Sequence, residues 1–322
     1  MTKTIIIQLA VAFAIAALLA PLYIPFLRRL KFGQAIRVEG PESHRKKSGT
    51  PTMGGIIFIT SIILTLIGVG VFTDSLTLSA DLMMLSLALV GFGAIGFIDD
   101  FIIVVRKNNE GLKPKQKIIA QLLVAAIFFR IFLVNGYSTE LSFFNLFSLE
   151  LYWIYGLFIL FWMVGFSNAV NLTDGLDGLC GGVSVIAFSA FGMIALATGR
   201  YEIMLFCFTV VGALLGFLVF NLNPAKVFMG DTGSLAIGAA IAAVSILLKQ
   251  EFILLVIGLV YVIETLSVIM QVLYYKRTKK RIFKMAPLHH HFELCGWSEW
   301  KVVIVLWVVG LVCGIIGLLI AI

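Results

Sequence analysis

The stretch Leu82–Phe101 reads LMMLSLALVGFGAIGFIDDF: a long uncharged run closed by two adjacent carboxylates, Asp99 and Asp100. An apolar run of this length predicts a membrane-spanning helix. Charge at the end of such a helix is costly unless water, a metal ion or a cation meets it. The next loop carries five positive side chains: Arg106, Lys107, Lys113, Lys115 and Lys117. The pair therefore indicates either metal and phosphate chemistry at a membrane surface or simply a solvated helix end.

Similar apolar runs recur along the whole chain. Of its 322 residues, 61% are hydrophobic and 13% are charged, about half the charged fraction of an ordinary soluble domain. We place ten candidate spans at roughly 4–27, 52–72, 82–98, 118–134, 151–168, 179–198, 202–221, 233–248, 251–275 and 301–322. The sequence therefore predicts an all-α, polytopic integral membrane protein, with residues 1–322 forming a single domain and the first span retained rather than cleaved.

The net charge of +7 is distributed unevenly over the loops. Nearly all Lys and Arg residues fall in the connections 28–51, 99–117, 169–178, 222–232 and 276–300. The positive-inside rule therefore places these loops in the cytoplasm and both termini on the outer, periplasmic side. The four cysteines form no recognisable disulfide or zinc pattern.

Two of the basic loops carry candidate anion-binding residues. The first ends in a constrained Thr-Pro-Thr-Met-Gly-Gly turn, and we expect Lys47 and Thr52 to serve an anion site there. A basic cluster can also be only a topology signal or a contact with anionic lipid. In the second, Pro114 can begin a helix whose backbone donors, with Lys115 and Lys117, favour phosphate.

The loop at 168–179 is unusual between two spans. Asn171, Asp174 and Asp177 recur every third residue, so a helical turn would bring their oxygens to one side. Oxygen ligands suit Mg²⁺, a sugar or a base, and the alternative is an ordinary Asx-turn linker.

The last two cytoplasmic loops add further candidates. Asp231 precedes a span and could cap that helix or bind a metal, while Phe228 could stack on a base or only anchor the interface. His289, His290 and His291 suit phosphate or sugar hydroxyls better than zinc, because no zinc motif accompanies them. Glu264 is an isolated intramembrane carboxylate, for which we favour a helix–helix hydrogen-bonding role.

Polar groups thus gather at one membrane face. A transporter or lipid flippase would be expected to carry ionisable groups near the midplane, where this chain has almost none apart from Glu264. The acidic residues, with Mg²⁺, and the cationic residues together suit phosphoryl transfer, which depends on positioning and charge stabilisation.

Five segments, in this order, resemble motifs of the phospho-N-acetylmuramoyl-pentapeptide-transferase family: Thr50–Gly55, Asp99–Asp100, Asn171–Gly178, Gly230–Gly233 and Met285–His291. The acidic motifs alone would fit the wider polyprenyl-phosphate N-acetylhexosamine-1-phosphate transferase superfamily. The Ala-Pro-Leu-His-His-His segment resembles the corresponding motif of the muramoyl-pentapeptide branch of that superfamily. A sibling enzyme that uses UDP-N-acetylglucosamine remains the alternative.

The resemblance implies a bacterial inner-membrane enzyme of ten helices, commonly a homodimer. It implies transfer of phospho-MurNAc-pentapeptide from UDP-MurNAc-pentapeptide to undecaprenyl phosphate, giving lipid I for peptidoglycan and UMP. By the same resemblance Asp99, Asp100 and Asp231 are the central acidic residues, with Asp231 and Asp100 as candidate Mg²⁺ ligands. The expected substrate-binding residues are Lys47, Thr52, Lys115, Asn171, Asp174, Asp177, Phe228, His289, His290 and His291. No nucleic-acid partner is expected.

Overall fold

A computed structural model describes residues 2–29, 49–72, 79–106, 111–144 and 146–322, with backbone only at residue 2 and over 69–72. Of the predicted site residues, Lys47 lies outside these ranges.

Almost all regular secondary structure in these ranges is helical. The helices are α1 (Thr2–Arg29), α2 (Gly55–Phe72), α3 (Ala80–Arg106), α4 (Pro114–Val134), α5 (Trp153–Thr173), α6 (Leu179–Ala197), α7 (Tyr201–Asn221), α8 (Gly230–Leu247), α9 (Ile253–Ile257), α10 (Leu259–Thr278), α11 (Leu288–Leu294) and α12 (Glu299–Ala321). Between α4 and α5 an antiparallel hairpin pairs β1 (Glu140–Phe143) with β2 (Phe147–Glu150), in the register Glu140 opposite Glu150.

The predicted fold class is confirmed. Within the described ranges, nine helices are long and apolar enough to cross a bilayer, namely α1, α3 to α8, α10 and α12. The described part of α2 that meets the same test of composition, Gly55–Gly68, is shorter. The protein is therefore a multi-pass helical membrane protein, while the orientation of its termini stays a prediction.

The structure departs from the predicted spans and connections in several places. α3 continues to Arg106, so Asp99 and Asp100 lie inside the helix rather than at its end, because the apolar residues after Phe101 extend the same pattern. The span predicted at 251–275 is divided at Gly258 into α9 and α10. The hairpin in the 135–150 connection was not predicted, since its alternation is only four residues long on each strand.

Helix α8 lies at the centre of the bundle and is almost completely buried. Its small residues let neighbouring helices approach until backbones touch, as in other membrane bundles. A Cβ added at Gly238 would lie 2.5 Å from the carbonyl oxygen of Phe166 on α5, and one added at Gly96 of α3 would overlap the carbonyl of Asp231. α3 therefore holds the first turn of α8 in a defined position, and α5 packs closely against the middle of that helix.

The end of the bundle opposite Asp99 carries polar contacts that the sequence analysis did not anticipate. Arg200 donates to both carboxylate oxygens of Asp81, at 2.9 and 3.1 Å, and the Tyr137 hydroxyl donates to Asp81 at 2.5 Å. Burial and the Asp81 charge raise the pKa of Tyr137 above its ordinary value. Lys249 contacts the fully buried Glu251, whose burial raises the pKa of that carboxyl. These contacts lie at the end of the bundle away from Asp99.

Candidate active site

Four carboxylates from three parts of the chain meet at one end of the bundle. α3 supplies Asp99 and Asp100, the first turn of α8 supplies Asp231, and the turn after α5 supplies Asp174. They are linked through the backbone of Gly230 to Thr232: Gly230 donates to Asp174 at 3.2 Å, and Thr232 donates to Asp100 at 2.9 Å. The acidic residues that are distant in sequence are therefore neighbours in space, as the sequence analysis expected.

Asp100 sits on the N-terminus of α8. It accepts hydrogen bonds from the Thr232 backbone, from the Thr232 hydroxyl at 2.7 Å and from the Asp231 backbone at 3.3 Å. The free N–H groups and dipole at a helix start favour a negative charge there. The capping carboxylate of α8 thus comes from α3, and Asp231 is left free to contact other groups.

Lys117, rather than the expected substrate-binding residue Lys115, lies within the acidic cluster. The Lys117 ammonium forms an ion pair with Asp231 and lies 3.6 Å from Asp99. Lys115 is exposed on the same helix, since two residues along a helix turn the side chain by about 200°. One signal was in the sequence: Gln121, a polar residue in an apolar run, lies four residues after Lys117 and so on the same face, which the structure buries at Gln121 and Ala125.

Asn171, Asp174 and Asp177 were predicted in one loop, but Asn171 lies in the last turn of α5, and the three separate into two groups. Asn171 donates to Asp231 at 2.7 Å and to the Ser234 hydroxyl at 2.9 Å, and Asp174 accepts from Gly230. Asp177 instead accepts from the Asn223 amide at 3.1 Å and from the Ala225 backbone at 3.0 Å. Two of the three therefore face the acidic cluster, and the third holds the 223–225 turn.

Asp174 is a carboxyl whose surroundings oppose its ionisation. Burial, followed by the nearby charge of Asp231, raises its pKa to about 7, against the hydrogen bond from Gly230. The group therefore changes protonation near neutral pH.

Two of the loops predicted to be cytoplasmic, the first and the fourth, are joined by backbone hydrogen bonds. Gly54 donates to Phe228 at 2.8 Å, Gly55 donates to Met229 at 2.9 Å, and Phe228 donates to Pro51 at 2.8 Å. A side chain at Gly54 would meet the Phe228 carbonyl, so this position requires glycine. The pairing brings Phe228 beside the Thr-Pro-Thr-Met-Gly-Gly turn.

Thr52 is aimed at the acidic cluster. The residue is 3% exposed, and its hydroxyl has no hydrogen-bond partner among the described residues. A Cβ added at Gly230 would lie 2.6 Å from the Thr52 Oγ1 and 2.7 Å from the Asp100 Oδ2. Thr52 and Asp100 therefore face the same small space beside Gly230.

The three histidines point to different surroundings. His289 is fully buried beside Glu264 and Gly175. His290 lies 3.2 Å from Glu293, and His291 accepts from the Lys284 backbone at 3.1 Å. His289 lies against Gly175, in the turn that carries Asp174, and the three rings differ in direction as expected for successive residues on a helix.

The residues at the cluster fit a magnesium ion whose remaining ligands come from a substrate. Among the described residues, no three His, Cys, Asp or Glu side chains are arranged to enclose a metal ion. Mg²⁺ usually takes only one or two protein carboxylates, together with substrate phosphates and water. Asp231 and Asp100 supply such oxygens, and Lys117 is the single cation paired with the cluster in the described part of the chain.

Comparison with known proteins shows which protein family this chain resembles. Residues 82–249 match the model of glycosyl transferase family 4, and residues 47–59 match the phospho-N-acetylmuramoyl-pentapeptide-transferase signature 1. The chain is similar to proteins named phospho-N-acetylmuramoyl-pentapeptide-transferase from three organisms. The one from Bacillus cytotoxicus is 55% identical over 99% of this chain and 98% of that protein. The one from Geobacillus thermodenitrificans is 56% identical over 98% and 97%, and the one from Listeria monocytogenes is 54% identical over 97% of each.

Proposed function

The chain belongs to the phospho-N-acetylmuramoyl-pentapeptide-transferase family and is an enzyme of that kind, and we propose that it makes lipid I. The donor would be UDP-MurNAc-pentapeptide, the acceptor undecaprenyl phosphate, and the second product UMP. The enzyme would act in the bacterial cytoplasmic membrane as one domain over residues 1–322, in a homodimer. The observation that carries the proposal is the meeting of Asp99, Asp100, Asp174 and Asp231 at one end of the bundle, with the Lys117 ammonium beside Asp99 and Asp231.

The charge of the site supports a diphosphate donor with a divalent cation. Four carboxylates with one paired lysine would repel a diphosphate unless further positive charge is present. We propose Asp231 and Asp100 as the residues that would hold Mg²⁺, which supplies neutralisation of charge on the diphosphate and on the leaving UMP. Lys117 lies where its ammonium can move from the carboxylates to a phosphate oxygen.

The chemical step we propose is a direct in-line displacement. An oxygen of undecaprenyl phosphate bonds to the β-phosphorus of the donor, and the bond from that phosphorus to the oxygen of UMP breaks. The second pKa of a phosphate monoester is about 6, so most of the acceptor is already a dianion at neutral pH. Little of the acceptor then carries a proton that Asp99 could remove. The contacts of Asp99 with the Leu112 backbone, at 2.7 Å, and with Lys117 suit a role in positioning the reacting groups.

Two alternatives for Asp99 make different predictions. As a nucleophile it would form a phospho-aspartate, and as a base it would deprotonate the acceptor. Asp99→Asn protein that keeps much of its rate at high pH would exclude the nucleophile. A trapped phospho-aspartate at Asp99 would contradict direct displacement.

We propose the remaining predicted residues as contacts of the donor. Asn171, Asp174, Phe228 and Thr52 lie at or beside the cluster, so the loops that carry them can hold the uridine and diphosphate ends. Asp177 would act by holding the 223–225 turn. Roles for Lys47, Lys115, His290 and His291 stay predictions from the family resemblance.

The test is release of UMP by purified protein in detergent. Undecaprenyl phosphate and Mg²⁺ are supplied with either UDP-MurNAc-pentapeptide or UDP-N-acetylglucosamine. We expect release only with the muramoyl donor, loss of release in EDTA and recovery when Mg²⁺ is restored. Release only with UDP-N-acetylglucosamine would overturn the proposed donor, and activity that persists in EDTA would overturn the role of Mg²⁺.

A further inference from the structure

Glu264 and His289 form a fully buried pair between two elements. Glu264 lies on α10, His289 lies on the short helix α11, and both are 0% exposed. The His289 Nδ1 is 3.2 Å from the Glu264 Oε2, and the His289 backbone donates to the same oxygen at 3.4 Å. The carboxylate thus contacts both the ring and the backbone of a single residue.

The opposite edge of the ring faces the site. A Cβ added at Gly175 would overlap the His289 Nε2, so this nitrogen lies directly against the turn that follows Asn171 and Asp174. Three polar atoms of the pair, the His289 Nδ1 and Nε2 and the Glu264 Oε1, form no hydrogen bond among the described residues, and Nδ1 meets the Glu264 Oε2 only at ion-pair distance. A buried nitrogen without a partner is costly to maintain, which points to a partner that arrives with the substrate.

A contribution to the stability of the fold does not by itself explain why Glu264 and His289 are buried together. Replacing a buried ion pair by apolar residues of similar volume is often neutral or stabilising. A carboxylate on one nitrogen of an imidazole, in contrast, fixes the ring orientation and places the proton on that nitrogen, which defines the role of the other.

We propose that Glu264 is a positioning residue that acts through His289. By holding Nδ1, Glu264 directs the His289 Nε2 across Gly175 toward an oxygen of the sugar diphosphate of the donor. This inference rests on the proposed function and goes beyond it by assigning a role to a residue within a membrane span that touches neither substrate.

The experiment compares donor affinity among four variants in detergent. Titration calorimetry with UDP-MurNAc-pentapeptide, without acceptor so that no turnover occurs, is applied to wild type, Glu264→Gln, His289→Ala and the double variant. We expect Glu264→Gln to weaken donor binding by about 10-fold or more, the range for a lost hydrogen bond to a charged group. The double variant should bind no more weakly than His289→Ala alone, because Glu264 acts through that ring.

Glu251→Gln is the matched control, since Glu251 is also 0% exposed and ion-paired but lies at the other end of the bundle. It should bind the donor as wild type does. In UMP release, Glu264→Gln should raise the KM for the donor and leave the KM for undecaprenyl phosphate unchanged.

Several results would overturn the inference. The inference fails if folded Glu264→Gln protein binds the donor with wild-type affinity. It also fails if the fold-loss of donor affinity in the double variant equals the product of the fold-losses in the two single variants. If Glu264→Gln does not fold, Glu264→Asp takes its place, because it keeps the charge but withdraws the carboxylate from Nδ1; unchanged affinity there has the same meaning. Wild-type protein that releases no UMP would instead refute the proposed function.

Discussion

Gly96→Ala should move Asp99 and Asp100, on α3, away from Asp231, on α8. The new methyl group would overlap the Asp231 carbonyl and lie close to the Thr232 backbone nitrogen, at 2.6 Å. Because the obstacle is backbone rather than a flexible side chain, α3 and α8 must move apart. Overpacking typically costs about 1–3 kcal/mol, and we expect the upper part of that range here.

The same displacement should affect activity more than folding. Gly96 lies one helical turn before Asp99 and Asp100, and the Asp100 carboxylate is bonded to the first turn of α8. A shift of about 1 Å at a catalytic group can cost about 100-fold in rate. We therefore expect UMP release per folded molecule to fall by about that factor.

The control is Gly165→Ala on α5. A Cβ at Gly165 meets nothing within 4 Å, and alanine within a helix is more stable than glycine by about 0.5–1 kcal/mol. Thermal unfolding in detergent and UMP release are measured for both proteins. Gly96→Ala protein with the melting temperature and activity of wild type would refute the close approach of α3 to Asp231.

Three further predictions concern charge. Lys117→Met should lower UMP release by about 100-fold or more, because Asp99 and Asp231 lose their shared cation. Lys115→Met should change UMP release by no more than about 2-fold, because an exposed charge contributes little. Equal losses in the two variants would contradict the placement of Lys117 in the acidic cluster. The pKa of Asp174 is raised from 3.8 to about 7, so the folded state binds the proton more tightly and this group's contribution to stability falls as pH rises through that window. Melting temperatures in EDTA should therefore decline between pH 4 and 7 more for wild type than for Asp174→Asn, and parallel curves would contradict the raised pKa. Arg200→Met should destabilise the fold by about 1 kcal/mol, since the pair with Asp81 is partly exposed, with UMP release per folded molecule unchanged; a matching loss of activity would show coupling between the two ends of the bundle.

The sequence by itself determined the membrane class, most spans and the set of acidic residues. Hydrophobic length reflects the thickness of the bilayer, and the cost of burying charge keeps most carboxylates away from the middle of the bilayer. Asp99, Asp100 and Asp231 were therefore identifiable as a group before any contact was known. The asymmetry of Lys and Arg predicted one polar face for the same local reason.

Only the tertiary structure decided how these groups are paired. The choice of Lys117 over Lys115 depends on where α4 begins and which face it turns to α3. Asp100 caps α8 because glycines let two backbones touch, and the contact of Glu264 with His289 joins two elements that no local pattern relates. Sequence periodicity records the direction of a side chain from its own helix, whereas hydrogen-bond partners depend on how separate helices pack.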